Sequence, residues 1–280
     1  MLQNTFAIWE KGTYFSEGED GFQPTLTTYI LDGIQKRPAV LICPGGGYGL
    51  IFPRETEAVA VRFNSMGYHT FILNYSVAPR KHPQPLMDIS RAMCIIREKA
   101  EIWNVSSGKI IVCGFSAGGH LAASLGVHWD KAYLKNIQGL TENQNRPDAL
   151  VLCYPVISSG EFAHRGSFNN LLGESASSEL VLEMSLEHQI SKSTPPTFLW
   201  HTAEDKTVSV ENSMLFASAL RKNNIPFELH IYQKGPHGLS LASLETQPES
   251  PGSPFSHTNP HAATWVNLCR EWLDEIFLFN

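Results

Sequence analysis

Seven short apolar runs rich in β-branched residues punctuate the chain: TLTTYIL (25–31), PAVLIC (38–43), HTFILNYS (69–76), KIIVCGFS (109–116), DALVLCYPV (148–156), PTFLWHT (196–202) and FELHIYQ (227–233). Most are nearly continuous rather than alternating, the pattern of strands buried on both faces of a parallel sheet. Between them lie segments with helical spacing: 55–67 (ETEAVAVRFNSMG), 85–103, 118–129, 209–224 and a final amphipathic stretch at 262–278. Strand and helix in repeated alternation predict right-handed crossovers, and hence a mostly parallel central sheet with helices on both faces.

Two segments interrupt the alternation. Residues 157–194 carry a short helix candidate, SSELVLEMSLEHQI (177–190), and residues 242–261 (ASLETQPESPGSPFSHTNPH) are rich in Pro, Ser and His. Both are expected as insertions on the loop side of the sheet, where open α/β folds bind ligands, although the second also has the composition of a disordered excursion. No internal repeat or heptad array is present. A chain of 280 residues, 42% hydrophobic and 17% charged, suits one domain over 1–280 with these local elaborations.

Charge narrows the function. A formal net charge of −6 with no cluster of Lys and Arg argues against nucleic-acid binding. No stretch approaches the roughly 18 apolar residues of a membrane helix, and the N-terminus lacks the basic and apolar regions of an export signal. Five cysteines (Cys43, Cys94, Cys113, Cys153, Cys269) form no paired framework and fit a reducing cytoplasm.

The chemistry concentrates in VCGFSAGGHLAASL (112–125), where Gly114-Phe115-Ser116-Ala117-Gly118 fits G-x-S-x-G between a strand and a helix. Such a turn strains the serine backbone, requires small neighbours, and lifts the hydroxyl to a helix N-terminus. Alone the pattern is weak, since Ser116 could simply be an N-cap. A second part is CPGGGYG (43–49) after a strand, where a glycine run lets main-chain N–H groups approach a reacting carbonyl; Gly46 and Gly47, with Ala117, are the candidate donors. A phosphate loop is excluded because no G-K-[ST] follows and the spacing is not G-x-G-x-x-G.

An acid and a base follow in order. Asp205 lies in the loop of FLWHTAEDKTVSVENS, with Glu204 its chemical equal at this stage, and His237 lies in a glycine-bounded loop after FELHIYQ. Ser, Asp, His is the chain order of the α/β-hydrolases. Among the other histidines, His120 is expected to pack against the sheet, His201 and His230 to lie inside strands, and His257 and His261 in the late insertion, all structural or solvent-facing. No histidine pair sits among carboxylates as a zinc site would require.

These motifs resemble the α/β-hydrolase superfamily, and within it the bacterial esterase/lipase-like group that includes acetylxylan esterases and related carboxylesterases. The resemblance runs over about 25–278 and rests on PGGGYG for the (H/P)-G-G-G segment, GFSAGGHLA for the elbow, and NYSVAPRKHPQPLMDISRAM for the Y-R-x-A-P region. Pro44 in place of His and Ser76 in place of Arg favour the acetylxylan-esterase-like branch over the hormone-sensitive-lipase branch. The resemblance implies Ser116 as nucleophile, Asp205 as acid, His237 as base and Gly46, Gly47 and Ala117 as oxyanion donors. It also implies no cofactor or metal, and a small-molecule ester or acetylated sugar as substrate. Alternatives are an arylformamidase-like or peptidase activity on the same scaffold, and a binding protein that has lost the chemistry. A homo-oligomer stays open.

Overall fold

The computed structural model describes residues 1–10, 14, 21–135, 137, 140–141, 143–247 and 257–278. One eight-stranded sheet runs through the molecule: β1 (Leu2–Ala7), β2 (Thr25–Ile30), β3 (Arg37–Cys43), β4 (His69–Asn74), β5 (Val105–Phe115), β6 (Ala149–Cys153), β7 (Thr197–Thr202) and β8 (Phe227–Tyr232), in the order β1-β2-β4-β3-β5-β6-β7-β8. β1, β2 and β4 pair antiparallel, and every pair from β4 through β3 to β8 is parallel. The expected helices are α1 (Glu57–Ser65), α2 (Gln84–Glu98), α3 (Ala117–His128), α6 (Glu211–Lys222) and α7 (Trp265–Leu278).

The continuous apolar runs have the predicted cause. Along β3, Ala39, Leu41 and Cys43 enter one core, while Val40 and Ile42 enter the other. β5 and β6 divide alike, with Ile110, Val112, Leu150 and Leu152 on the first face and Ile111, Cys113, Val151 and Cys153 on the second. The first core holds residues of α2, α3 and α6, and the second those of α1 and α7, so the buried stretches of the central strands are covered by helices on both faces. Burying both faces makes the sheet rigid, and its carboxyl ends become a fixed platform for loops.

Two elements depart from the sequence expectation. β1 has the composition LQNTFA and is largely exposed, an edge strand held by its ladder to β2 rather than by an apolar face, so hydrophobic patterning does not reveal it. In the first insertion the 177–190 candidate contracts to α5 (Ser178–Glu183) followed by a single 3₁₀ turn (Leu186–His188), and α4 (Arg165–Leu172) precedes it. α4 buries Phe168, Leu171 and Leu172 on one side of only two turns, too short a stripe to stand out. Of the 242–261 insertion, residues 248–256 lie outside the described residues, so the disordered-excursion reading lies there too; Leu244–Thr246 form a 3₁₀ turn and Ala262–Thr264 another before α7. Among the described residues, no helix is long and apolar enough to cross a membrane.

Candidate active site

Ser116 stands between the end of β5 and the start of α3 with φ 53° and ψ −118°, a left-handed conformation that side chains rarely adopt. Its backbone is held on both sides: its N–H donates to Cys153 O at 3.0 Å, and its carbonyl accepts from Val156 N at 3.1 Å and His120 N at 3.1 Å. The flanking glycines have steric reasons. A Cβ on Gly114 would stand 2.2 Å from Gly118 O, and one on Gly118 would stand 2.1 Å from Cys43 O. The elbow thus presses α3 against the end of β3, which brings the serine beside the glycine loop.

His237, in the loop after β8, reaches the serine and the acid at once. Its Nε2 lies 2.8 Å from Ser116 Oγ, and its Nδ1 lies 2.6 Å from Asp205 Oδ2. Asp205 is buried while Glu204 is exposed, so the structure chooses between the two adjacent carboxylates. Asp205 Oδ1 accepts from the N–H groups of Thr207 at 2.9 Å and Val208 at 3.0 Å. Burial pushes the Asp205 carboxyl up, but hydrogen bonds from His201 and His237 outweigh it and hold the group well below the ordinary carboxylate range. An ionised Asp205 accepts a hydrogen bond from Nδ1–H of His237, leaving Nε2 as the acceptor for the serine hydroxyl.

The glycine loop lies beside this pair. Gly46 and Gly47 have φ of 137° and 64°, and the Gly46 carbonyl accepts from Gly49 N at 3.0 Å and Leu50 N at 3.2 Å, closing a tight turn. A Cβ on Gly46 would stand 2.0 Å from Leu50 O, so the turn requires glycine there. The N–H groups of Gly46, Gly47 and Ala117 have no acceptor among the described residues. Ala117 opens α3, whose N-terminal dipole end favours negative charge at this place.

Three contributors were not legible in the sequence. Glu55, only 1% exposed, accepts from Gly45 N at 2.7 Å through Oε2 and from the Tyr154 hydroxyl at 2.7 Å through Oε1. Tyr154 in turn accepts from Ser240 N at 2.8 Å and packs edge-on against the His237 ring, with centroids 5.0 Å apart. One buried carboxylate therefore ties the glycine loop to the histidine loop; burial raises its pKa, against the hydrogen bonds from Tyr154 and Gly45. A carboxylate at the start of a helical segment, here in the 3₁₀ turn Pro53–Glu55 before α1, carries no signal of this kind, because the partners lie elsewhere in the sequence.

The second is His201, inside β7 as expected, whose Nε2 approaches Asp205 Oδ2 at 3.2 Å and Val208 O at 3.0 Å while Nδ1 meets Ser213 Oγ at 2.8 Å. Its spacing of four residues from Asp205 was visible, but strand and loop had to be placed before it meant contact. The third is His164, which caps α4 through its Nδ1. His120 differs from expectation: instead of packing on the sheet it bonds Tyr48 Oη at 2.9 Å and Met184 O at 2.9 Å, joining the glycine loop to the insertion. His230 pairs with Glu228 on β8, His257 approaches Arg54, and His261 packs against Tyr232.

Comparison with known proteins supplies the family. Endo-1,4-beta-xylanase B from Butyrivibrio fibrisolvens is 40% identical over 242 residues, 85% of this chain and 38% of that protein. An acetylxylan esterase from Xylanibacter ruminicola is 29% identical over 211 residues, 73% of this chain and 42% of that protein. The chain thus spans about two fifths of the length of these curated relatives. The crystal structure of an acetyl ester-xyloside bifunctional hydrolase from Caldicellulosiruptor lactoaceticus superposes with a TM-score of 0.88 at 42% identity, covering 98% of this chain and 96% of the other. The family model described as BD-FAE matches residues 31–220, from just after β2 into α6, and so takes in the glycine loop, the serine elbow and Asp205. By that match, and on a sheet and elbow of α/β-hydrolase form, this chain belongs to the BD-FAE family.

Proposed function

We propose that the protein is a serine carboxylesterase that removes short acyl groups, acetyl above all, from hydroxyl groups of xylose-type sugars or oligosaccharides. The observation that carries the reading is the continuous contact from Ser116 through His237 to Asp205, set beside three N–H groups without an acceptor among the described residues. The relatives add support for the acetyl and xylan side of the reading, since their names join acetyl esters with xylan or xyloside hydrolysis.

In this mechanism His237 Nε2 takes the hydroxyl proton as Ser116 Oγ attacks the ester carbonyl carbon. The carbonyl oxygen becomes an alkoxide between the N–H groups of Gly46, Gly47 and Ala117. The tetrahedral intermediate collapses, the C–O bond to the alcohol breaks, and His237 returns the proton to the departing oxygen. Water then attacks the acyl-serine carbonyl as His237 accepts its proton, and as the C–O bond to Ser116 breaks His237 returns that proton to Ser116 Oγ, releasing the carboxylic acid. Each oxyanion donor is worth about 3 kcal/mol in the transition state, and general acid–base transfer on the order of 10²- to 10⁴-fold. Asp205, ionised and shielded, keeps the imidazole in the working tautomer and stabilises its cation. All five cysteines are buried thiols, which supports a reducing, cytoplasmic setting for this reading.

The test is hydrolysis of p-nitrophenyl esters from acetate to octanoate, wild type beside Ser116→Ala, with N-formylkynurenine and acetylated xylo-oligosaccharides in parallel. Activity greatest on acetate and lost in Ser116→Ala is expected. Turnover of the formamide alone would replace the reading with an amide hydrolase, and a folded protein inert on every substrate would replace it with a binding protein.

A further inference from the structure

His164 stands at the edge of the site on the insertion between β6 and β7. Its Nδ1 is committed twice, at 2.8 Å to Ser167 Oγ and at 3.3 Å to Ser167 N. A backbone amide only donates, so Nδ1 holds a lone pair and the single proton of the neutral ring sits on Nε2. Burial lowers the pKa of the ring below that of a free imidazole, so the ring is neutral near pH 7. His164 is half-buried, and its Nε2 has no acceptor among the described residues.

The position of this donor follows from α4. Ser167 Oγ lies 3.8 Å from the place a Cβ on Gly47 would take, and Asn170 Nδ2 donates to Gly47 O at 2.9 Å. The N-terminal end of α4 is therefore laid against the glycine loop, with the histidine that caps it at the rim of the site. An acetyl group brings one polar atom, its carbonyl oxygen, and the loop N–H groups take that atom. A further fixed N–H donor at the rim then has a partner only on the alcohol half of the ester.

We propose that His164 is a specificity-determining contact: its Nε2–H donates to a hydroxyl or ring oxygen of a sugar alcohol, so that the site distinguishes acetylated sugars from esters of apolar alcohols. The proposal rests on the esterase reading above. A neutral N–H held by its own capping bonds suits this task, because it donates without attracting carboxylates and without competing with His237 for the serine proton.

The experiment compares kcat/KM for acetylated xylo-oligosaccharide with kcat/KM for p-nitrophenyl acetate, in wild type and in His164→Asn. Asparagine is among the best helix N-caps, so the variant keeps an acceptor for Ser167 N and withdraws the distal donor. The ratio of the two constants is expected to fall about tenfold, the equivalent of one hydrogen bond of about 1.4 kcal/mol. A role confined to holding α4 would lower both constants together and leave the ratio at its wild-type value, which would overturn the proposal, as would two unchanged constants. Wild type that cleaves p-nitrophenyl acetate but no acetylated sugar would overturn it while sparing the esterase reading. Wild type inert on both would instead remove the esterase reading itself.

Discussion

Gly118→Ala tests whether the elbow and the glycine loop are one packed unit. The added Cβ would stand 2.1 Å from Cys43 O and 2.4 Å from Pro44 O, while ordinary contact begins at 3.4 Å, so a displacement of 3.4 − 2.1 = 1.3 Å is required. Neither atom yields easily. Cys43 is in register with Gly114 in the β3–β5 ladder, and Pro44 O accepts the Tyr75 hydroxyl at 2.6 Å. Overpacking of this kind costs about 1–3 kcal/mol, and at a few degrees per kcal/mol the thermal midpoint should fall by roughly 3–10 °C. The displacement also moves Ser116 away from Gly46 and Gly47, and a misplacement of about 1 Å costs on the order of 10²-fold in rate. The assays are thermal unfolding and turnover of p-nitrophenyl acetate at a temperature where the variant is folded. Gly108→Ala is the control, since a Cβ there meets nothing within 4 Å. A Gly118→Ala protein with wild-type midpoint and turnover would refute the claim that these segments are in hard contact.

Asp205→Asn should lower kcat by about 10³-fold or more with folding intact, because the amide no longer fixes the His237 tautomer; steady-state kinetics with circular dichroism check this, and a loss under tenfold contradicts it. Glu55→Ala leaves Gly45 N and the Tyr154 hydroxyl without their shared buried acceptor, so stability should drop by roughly 2–4 kcal/mol, read from denaturant midpoints, with kcat falling alongside as both loops loosen. Stability should also decline on acidification. Burial pushes His82, His120 and His128 down to about 4 from the usual 6.5, so between those values the unfolded chain binds more protons than the folded one and each loses stabilising effect as pH falls. Burial raises Asp88 to about 6 and lifts Glu55 and Asp148 as well, which act in the opposite direction, yet His69 and His164 are lowered alongside the other three, so five histidines oppose three carboxylates. A thermal midpoint that stays level or rises from pH 7 to pH 5 would contradict this.

How much the sequence discloses depends on whether a contact is local. The central strands are legible because burial on both faces writes itself into β3, β5 and β6 as uninterrupted apolar residues. Ser116 is legible because an elbow imposes its glycines at fixed neighbouring positions, and His237 because glycines bound its loop. Asp205 and Glu204 are adjacent and chemically alike, so only the direction in which the loop turns separates them. β1 escapes because an edge strand needs backbone pairing and little apolar surface. Glu55 and Tyr154 meet across 99 residues, and His164 gains its meaning from Ser167 and from a glycine loop more than a hundred residues earlier. No spacing rule connects such pairs, since chain topology alone brings them together.

The central claim is that Ser116 is the nucleophile of an acyl-transfer site, and covalent trapping tests it most directly. The protein is treated with an excess of a p-nitrophenyl dialkyl phosphate, digested, and the adduct located by mass spectrometry while residual p-nitrophenyl acetate turnover is followed. The account requires one dialkylphosphoryl group per chain on Ser116, loss of turnover in proportion to labelling, and no labelling of His237→Ala on the same time scale. Turnover that persists in a stoichiometrically labelled protein, or an adduct on another residue that tracks inactivation, would contradict it.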